Sequence, residues 1–161
     1  MRNRELVLAF LKEENYKYEV MSDIILKFKS EGTFVHCYTP LDDDDFIQFF
    51  IPGIYSLSDN PQHSRETILS ICNELSWHRK TLKCVIKGDD VFLLSDLFIG
   101  EDMTSLSSVS IRALAILSFG LRFFYESLEK IEEARQQAPK PYSWLSRLGT
   151  TLRETFGMNN Y

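Results

Sequence analysis

Three short apolar segments, joined by connections of only a few residues, place the tightest constraint on how this chain can fold. They cover residues 24–30, 33–39 and 46–51, and the first two alternate apolar with other side chains, which indicates β-strands. A turn at residues 31–32 separates the first two, and Pro52 is expected to end the third. Because parallel strands need a long crossover connection, links this short predict an antiparallel meander.

The remaining segments add helices on either side of a second hairpin. Asn3 is expected to cap the first helix, and residues 16–20 are expected to be an extended link that is not a strand. The predicted helices cover residues 3–14, 64–76 and 107–137, and the predicted hairpin strands cover residues 81–87 and 91–98. The order α-βββ-α-ββ-α, followed by a C-terminal helical tail, predicts an α+β fold with one five-stranded antiparallel sheet and packed helices.

The main core is expected where the second hairpin meets the long third helix. The strand at residues 91–98 is apolar on both sides, which predicts cover on both of its faces. The long helix is apolar nearly all round at its start, whereas its charged end is expected to project toward solvent. The predicted core residues are Phe92, Leu94, Leu114, Leu117 and Leu121.

The chain after residue 138 is predicted to be a tail distinct from the domain at residues 1–138. Pro139 and Pro141 end the long helix, and an amphipathic helix is expected within residues 139–161. The apolar stripe of the tail comprises Tyr142, Leu145, Leu148, Leu152 and Phe156, with Trp144 beside it. The tail is expected to pack on its own domain, because exposed apolar stripes are rare on monomers; the alternative is a docking helix for a partner or a second copy.

The charge of the chain argues against nucleic acid as a partner. The 161 residues carry a formal net charge of -5, and the pI is about 5.2. The densest basic stretch lies between Arg65 and Lys87, and Asp89 and Asp90 follow it directly. Because phosphate neutralisation supplies most of the affinity of nucleic-acid binders, no nucleic acid is expected as a partner.

Neither a membrane span nor a secretion signal is predicted. The longest apolar stretch, residues 111–125, is broken by two arginines and is expected to be a core helix. The apolar block near the N-terminus is short, and no small-residue cleavage site follows it. The cysteines, Cys37, Cys72 and Cys84, are odd in number and form no CxxC pair, so we expect reduced, buried thiols in a cytoplasmic protein.

No pattern of catalytic or metal-ligating residues stands out. The aspartates at residues 42–45 lack the glycine and the late glutamate of a calcium loop, which indicates a solvated turn. His36, His63 and His78 share no metal-ligand spacing, and no glycine-rich phosphate loop is present, so no metal or cofactor is expected. An enzyme of unrecognised type, using His36 or Cys37 in a cleft, is the catalytic alternative.

The helix and hairpin in the middle of the chain resemble a known family. Residues 68–75 form a helix that contains Asn73, and residues 82–97 form two strands around an acidic turn, closing on Asp96 and Leu97. This arrangement resembles the YbjN family of sensory transduction regulators, which has a type III secretion chaperone-like fold. By element order the resemblance extends over about residues 3–135. Ser76 stands where the family often has a second asparagine, and the segment after Pro139 has no counterpart there.

The resemblance implies a small, non-catalytic cytoplasmic domain, regulatory or chaperone-like, that binds a protein partner and commonly pairs with itself. A homodimer contact is expected near Trp77 and Phe92, by analogy with chaperone-like folds. The candidate partner-binding residues are Trp77, Phe92, Tyr142, Trp144, Leu148, Leu152 and Phe156. A type III secretion-type chaperone for a dedicated partner is the alternative within this class.

Overall fold

The computed structural model describes residues 2–99 and 103–137, which form three helices and six strands. The helices are α1 (Arg2–Glu13), α2 (Arg65–His78) and α3 (Met103–Gln137). The strands are β1 (Tyr18–Val20), β2 (Ile25–Ser30), β3 (Thr33–Tyr38), β4 (Phe46–Ser56), β5 (Leu82–Lys87) and β6 (Asp90–Phe98). The α+β class and the antiparallel pairing are confirmed.

The sheet has six strands, so the prediction of five was wrong. Its order is β1-β2-β3-β4-β6-β5, with every neighbouring pair antiparallel. The additional strand is β1, which lies within the segment predicted to be a link and pairs Tyr18 with Phe28 and Val20 with Leu26. A three-residue strand is too short to show the period-two alternation that identifies strands from sequence.

Strand β4 continues well past the point where Pro52 was expected to end it. It runs to Ser56, and its pairing with β6 shifts register between Ile51 and Tyr55. Gly53 has a φ of 60° within this irregularity, a backbone conformation that glycine adopts without strain. A β-bulge accommodates proline inside a strand because it interrupts the ladder locally, so Pro52 marks a bulge and not a strand end.

All three helices contact the same face of the sheet, which we call the covered face. From α1, Phe10 contacts Tyr16, whose ring lies 5.1 Å from that of Phe28 on β2. From α2 and α3, Cys72 and Gly120 meet residues of the β5–β6 hairpin. The strand residues buried on this face include Leu26, Phe28, Ser30, Val35, Cys37, Ile47, Phe49, Ile51, Tyr55, Leu82, Cys84, Val91, Leu93, Ser95 and Leu97.

The core expected between β6 and α3 forms with a different set of β6 residues. Leu114 and Leu117 are buried as predicted, but Phe92, Leu94 and Leu121 remain partly exposed. Val91 and Leu93 occupy the core instead, because alternate residues of a strand point to opposite faces. The prediction that both faces of β6 are covered was therefore wrong.

The helix starts also differ from the sequence prediction. Asn3 lies inside α1 and is fully buried, and its side-chain amide donates to the carbonyl oxygens of Pro40, Asp43 and Phe46. It therefore holds the β3–β4 connection against α1, which a cap residue would not do. The third helix begins at Met103, one turn before the predicted start.

The chain divides into two compact units, Met1–Ser127 and Leu128–Tyr161. The described part of the second unit is the end of α3, where residues 129–137 are mostly exposed and rich in charge. The tail predicted at residues 139–161 lies outside the described residues, as do its candidate contacts Tyr142, Trp144, Leu148, Leu152 and Phe156.

Candidate protein-binding surface

The second face of the sheet, which we call the open face, has none of the described helices packed on it. Its side chains alternate with those of the covered face along β1 to β6, and none of them is buried. Among them, Phe98 is 79% exposed, Phe34 is 51% exposed and Val85 is 40% exposed. The open face comprises Glu19, Ile25, Lys27, Lys29, Phe34, His36, Tyr38, Phe46, Gln48, Phe50, Ser56, Lys83, Val85, Lys87, Asp90, Phe92, Leu94, Asp96 and Phe98.

Two pairs of aromatic rings, each spanning two neighbouring strands, lie on the open face. Strand register places His36 opposite Phe50, and their rings stack with centroids 5.2 Å apart. It also places Phe46 opposite Phe98, and these rings meet edge to face at 5.6 Å. Cross-strand aromatic pairs stabilise a sheet, but the outer sides of these rings remain free to contact another molecule.

Charged side chains lie on both sides of these aromatic rings. Lys27 and Lys29 lie at the β2 side, where the Lys27 ammonium sits 4.3 Å from the centre of the Phe34 ring. Lys83 and Lys87 lie at the β5 side, and Lys83 forms an ion pair with Asp96. The open face carries these four lysines and three acidic residues, Glu19, Asp90 and Asp96. Its net charge is therefore +1, compared with -5 for the whole chain.

Asp96 is held in place by hydrogen bonds and needs no catalytic role to explain its position. Its Oδ1 accepts from the Gln48 side-chain amide at 2.7 Å, and its Oδ2 accepts from Lys83. Register places Gln48 directly opposite Asp96 on the neighbouring strand. This carboxylate therefore links three strands across the open face.

The residues of the catalytic alternative, His36 and Cys37, do not meet. They are neighbours in β3, so His36 lies on the open face and Cys37 is fully buried on the covered face. Burial raises the pKa of the Cys37 thiol far above its ordinary value, which disfavours the nucleophilic thiolate. Burial, with a smaller contribution from the Lys27 charge, lowers the pKa of His36. This arrangement provides no thiolate–imidazole pair.

The three histidines lie apart from one another. His63 is buried, and its Nδ1 is 2.6 Å from the Tyr55 hydroxyl, whereas His78 ends α2. Within residues 2–99 and 103–137, no group of three or more His, Cys, Asp or Glu side chains could hold a metal ion. In the aspartate turn, Asp43 accepts from the backbone N–H of Asp45, as expected for a solvated turn.

Trp77 and Phe92, the two described candidates for partner binding, lie on opposite sides of the sheet. Trp77 is 86% exposed on α2, which packs on the covered face, whereas Phe92 belongs to the open face. A single flat contact therefore cannot centre on both. Near Trp77, α2 and α3 enclose a groove of about 280 Å³, over which Arg79 stacks on the Phe119 ring at 4.2 Å.

The sequence prediction identified Phe92 but missed the surface to which it belongs. The available signal was the apolar character of β4 and β6 on both faces, which for β6 was interpreted as burial on both faces. The excess of aromatic residues, 12 Phe and 7 Tyr in 161 residues, was also visible. What the sequence could not show is that all three helices pack on one side of the sheet.

Solved structures of other proteins share this fold. An uncharacterised protein from Methanothermobacter thermautotrophicus aligns with a TM-score of 0.56 and 15% identity, over 80% of this chain and 98% of its own. YbjN from E. coli, described as a proposed transcription regulator, aligns with a TM-score of 0.53 and 9% identity, over 73% of this chain and 87% of its own. The Yersinia pestis type III secretion chaperone SycH, solved in complex with a stable fragment of YscM2, aligns with a TM-score of 0.46 and 17% identity, over 74% of this chain and 97% of its own.

At these identities the alignments show the fold alone. The chain has the fold of YbjN, so the resemblance predicted from the α2 helix and the β5–β6 hairpin is confirmed at the level of fold. The SycH alignment is too distant to support an inference. No protein-family profile and no curated protein matches the sequence.

One described helix segment, Leu106–Gln137, is long and apolar enough to cross a membrane by length and composition. A core helix of a soluble protein meets the same criterion. Here Ala113, Leu114, Leu117 and Phe124 are buried within the unit Met1–Ser127, as the sequence prediction of a core helix requires.

Proposed function

We propose that this chain is a non-catalytic, cytoplasmic protein-binding domain, regulatory or chaperone-like, and related to YbjN. The observation that carries the proposal is the open face, a sheet surface with exposed aromatic side chains that the helices leave uncovered. Contiguous exposed apolar surface on a soluble domain is typical of an interaction site. The fold shared with YbjN, itself described as a proposed transcription regulator, supports a regulatory role.

The chemistry of the open face defines the kind of partner that would fit. It offers Phe34, Phe50 and Phe98 as apolar and aromatic contacts, and such residues are enriched at the energetic centres of interfaces. Lysines lie on two sides of the face, which favours a protein segment whose apolar side chains are flanked by acidic ones. We therefore propose a protein ligand of that composition and neither a nucleic acid nor a membrane.

Quantitative affinity purification from native lysate tests this proposal. The bait is the full chain, compared with the double variant Phe34→Ser/Phe98→Ser, which removes the two most exposed aromatic side chains of the open face. A partner enriched by the wild type is then produced pure and titrated against both proteins. Removing two exposed aromatic contacts should weaken binding roughly 30-fold or more, because one hot-spot side chain is worth about 2 kcal/mol.

The matched control removes two exposed apolar side chains from elsewhere. Leu41 is 58% exposed after β3, and Ile111 is 47% exposed on α3. The double variant Leu41→Ser/Ile111→Ser should bind the purified partner as the wild type does. Equal binding by all three proteins, or loss in the control alone, would remove the open face as the interaction site.

We also propose that the domain forms a homodimer, as the YbjN-family resemblance implies. Edge-to-edge pairing through β5 is disfavoured, because two of its outward N–H groups already have partners in the chain: Leu82 donates to the Arg79 carbonyl and Cys84 to the Ser76 hydroxyl. A face is therefore a better candidate than the β5 edge for the dimer contact. Light scattering at micromolar concentration measures the oligomeric state of the wild type and of two variants. If the dimer contact lies on the open face, Phe92→Ser should be a monomer; if it lies on α2, Trp77→Ser should be a monomer.

The prediction that residues 139–161 form an amphipathic helix packed on the domain remains a proposal. It rests on the spacing of Tyr142, Leu145, Leu148, Leu152 and Phe156. A chain truncated after residue 138 should melt at a lower temperature and be less soluble. If melting temperature and solubility are unchanged, the tail does not stabilise the domain, and its apolar stripe, with Trp144, would instead be a binding site for a partner.

A further inference from the structure

Two cysteines that are distant in sequence meet between α2 and β5. The sulfur atoms of Cys72 and Cys84 are 2.9 Å apart, and the Cys84 thiol donates to the Cys72 sulfur. Both residues are buried but retain a small solvent-exposed fraction, 2% for Cys72 and 7% for Cys84. Cys84 lies on β5, which is an edge strand of the sheet.

The surroundings hold the two sulfurs together. Cys72 lies on the buried side of α2, and Cys84 is centred in β5, opposite Leu93 of β6. One turn further along α2, the Ser76 hydroxyl accepts a hydrogen bond of 3.1 Å from the Cys84 backbone N–H. A disulfide has an S–S length of about 2.05 Å, so the sulfurs need to approach by only about 0.9 Å to become bonded.

The hydrogen bond also makes the two thiols unequal. Accepting from Cys84 stabilises the Cys72 thiolate and lowers the pKa of Cys72, whereas donating that bond raises the pKa of Cys84. The thiolate is the nucleophile in thiol oxidation. Cys72 is therefore the attacking residue and Cys84 the resolving one.

We propose that Cys72 and Cys84 form an oxidisable dithiol, a modification site whose reagent is a hydroperoxide. The Cys72 thiolate attacks one oxygen of hydrogen peroxide, the O–O bond breaks, and Cys72 becomes a sulfenic acid while the leaving oxygen departs as water after taking up a proton. The Cys84 sulfur then attacks the Cys72 sulfur, the S–O bond breaks, and the second oxygen leaves as water with the Cys84 proton. Two thiols and one peroxide thus give one disulfide and two waters, and a dithiol reductant reverses the change.

The disulfide would fasten α2 to the edge of the sheet through a short loop of chain. Closing such a loop restricts the unfolded state, so the oxidised protein should melt roughly 5–10 °C above the reduced protein. The proposal stands apart from the proposed protein-binding role, because neither sulfur belongs to the open face.

Peptide mapping of the full chain after peroxide treatment gives the direct test. Trypsin places the three cysteines in separate peptides: residues 30–65 with Cys37, 66–79 with Cys72, and 84–87 with Cys84. We expect a linked species of the last two peptides that disappears on reduction, while Cys37, fully buried and with a pKa raised by burial, stays a free thiol.

Single variants test the assignment of roles. In Cys84→Ser, a sulfenic acid trap should label Cys72, because the resolving thiol is missing. In Cys72→Ser, the trap should label Cys84 at least about tenfold more slowly than it labels Cys72 in Cys84→Ser, because the thiol with the lowered pKa is missing. The control Cys37→Ser should form the 72–84 bond at the wild-type rate.

Several outcomes would overturn the proposal. One is that Cys72 and Cys84 remain free thiols under peroxide treatment that oxidises an exposed model thiol. The others are disulfides that form only between chains, and a reaction at Cys84 that is as fast as or faster than that at Cys72. An oxidised protein that melts at or below the temperature of the reduced one would contradict the fastening of α2 to β5.

Discussion

The covered and open faces of the sheet are made by the same strands, and neighbouring residues of one strand have opposite environments. In β6, Leu93 is fully buried under α3, whereas Leu94 is partly exposed on the open face. Both sides of β6 carry apolar side chains, but the described helices pack on only one of them. Apolar character on both sides of a strand therefore does not by itself predict a three-layer structure, since the second apolar side can be an interaction surface.

The largest expected difference between the faces is in the stability of two matched variants. Leu93→Ala should lower the free energy of unfolding by roughly 2–5 kcal/mol, because it leaves a cavity in the core. Leu94→Ala removes the same atoms from a partly solvated position and should cost less, about 1–2 kcal/mol. Denaturant unfolding of both variants measures this difference, and equal losses would mean that the open face is covered after all.

A second prediction concerns the contact of α3 with the covered face. A Cβ atom on Gly120 would lie 2.8 Å from a methyl carbon of Leu82 and 3.4 Å from one of Leu93. Gly120→Val should therefore destabilise the fold by roughly 1–3 kcal/mol through overpacking. Ser118→Val, two residues away on α3 and only partly buried, is the control. If Gly120→Val is as stable as the wild type, α3 does not pack this closely on β5 and β6.

A smaller effect is expected from the open-face variants Phe34→Ser and Phe98→Ser. Both side chains are more than half exposed, so each change should alter the free energy of unfolding by less than about 1 kcal/mol. Thermal and denaturant unfolding check this, and the result decides whether a loss of binding can be attributed to the surface. A loss above about 2 kcal/mol would show that these rings belong to a core.

The smallest expected effect is a pH dependence due to His36. Burial and the Lys27 charge lower its pKa below the ordinary value of 6.5, so the unfolded chain takes up a proton more readily than the folded chain does. The stability that neutral His36 contributes is complete above the ordinary pKa of 6.5. It is lost as the pH falls from that value through the lowered pKa of the folded chain. The stability advantage of the wild type over His36→Gln should therefore shrink from about pH 7.5 to about pH 5.5. An advantage that grows over this range would contradict the direction of the shift.

The sequence predicted the element order well, because its signals are local. Turns after β2 and β5 and helical periodicity in α1, α2 and α3 come from neighbouring residues, and most strand bounds fall within two residues of the prediction. The two errors in the strands have local causes as well. Strand β1 is too short to alternate, and the bulge at Gly53 lets β4 continue past Pro52.

The site was less predictable, because it depends on how the elements are stacked. Phe92 was singled out, but Phe34, Phe50 and Phe98 belong to the same surface only once the strands are in register and the helices lie opposite. The pairing of Cys72 with Cys84 likewise depends on α2 packing beside β5. The separation of His36 from Cys37, by contrast, follows from strand alternation alone and could have been predicted from the sequence.

The most direct test of the open face as the binding surface is photocrosslinking in native cells from one position on each side of the sheet. A photoreactive amino acid replaces Phe98 on the open face or Ile111 on α3, both exposed positions. If the open face is the binding surface, position 98 should give a discrete protein adduct that is lost when Phe34→Ser is added. Position 111 should give no such adduct. An adduct from position 111 alone, or identical adducts from both positions, would contradict it.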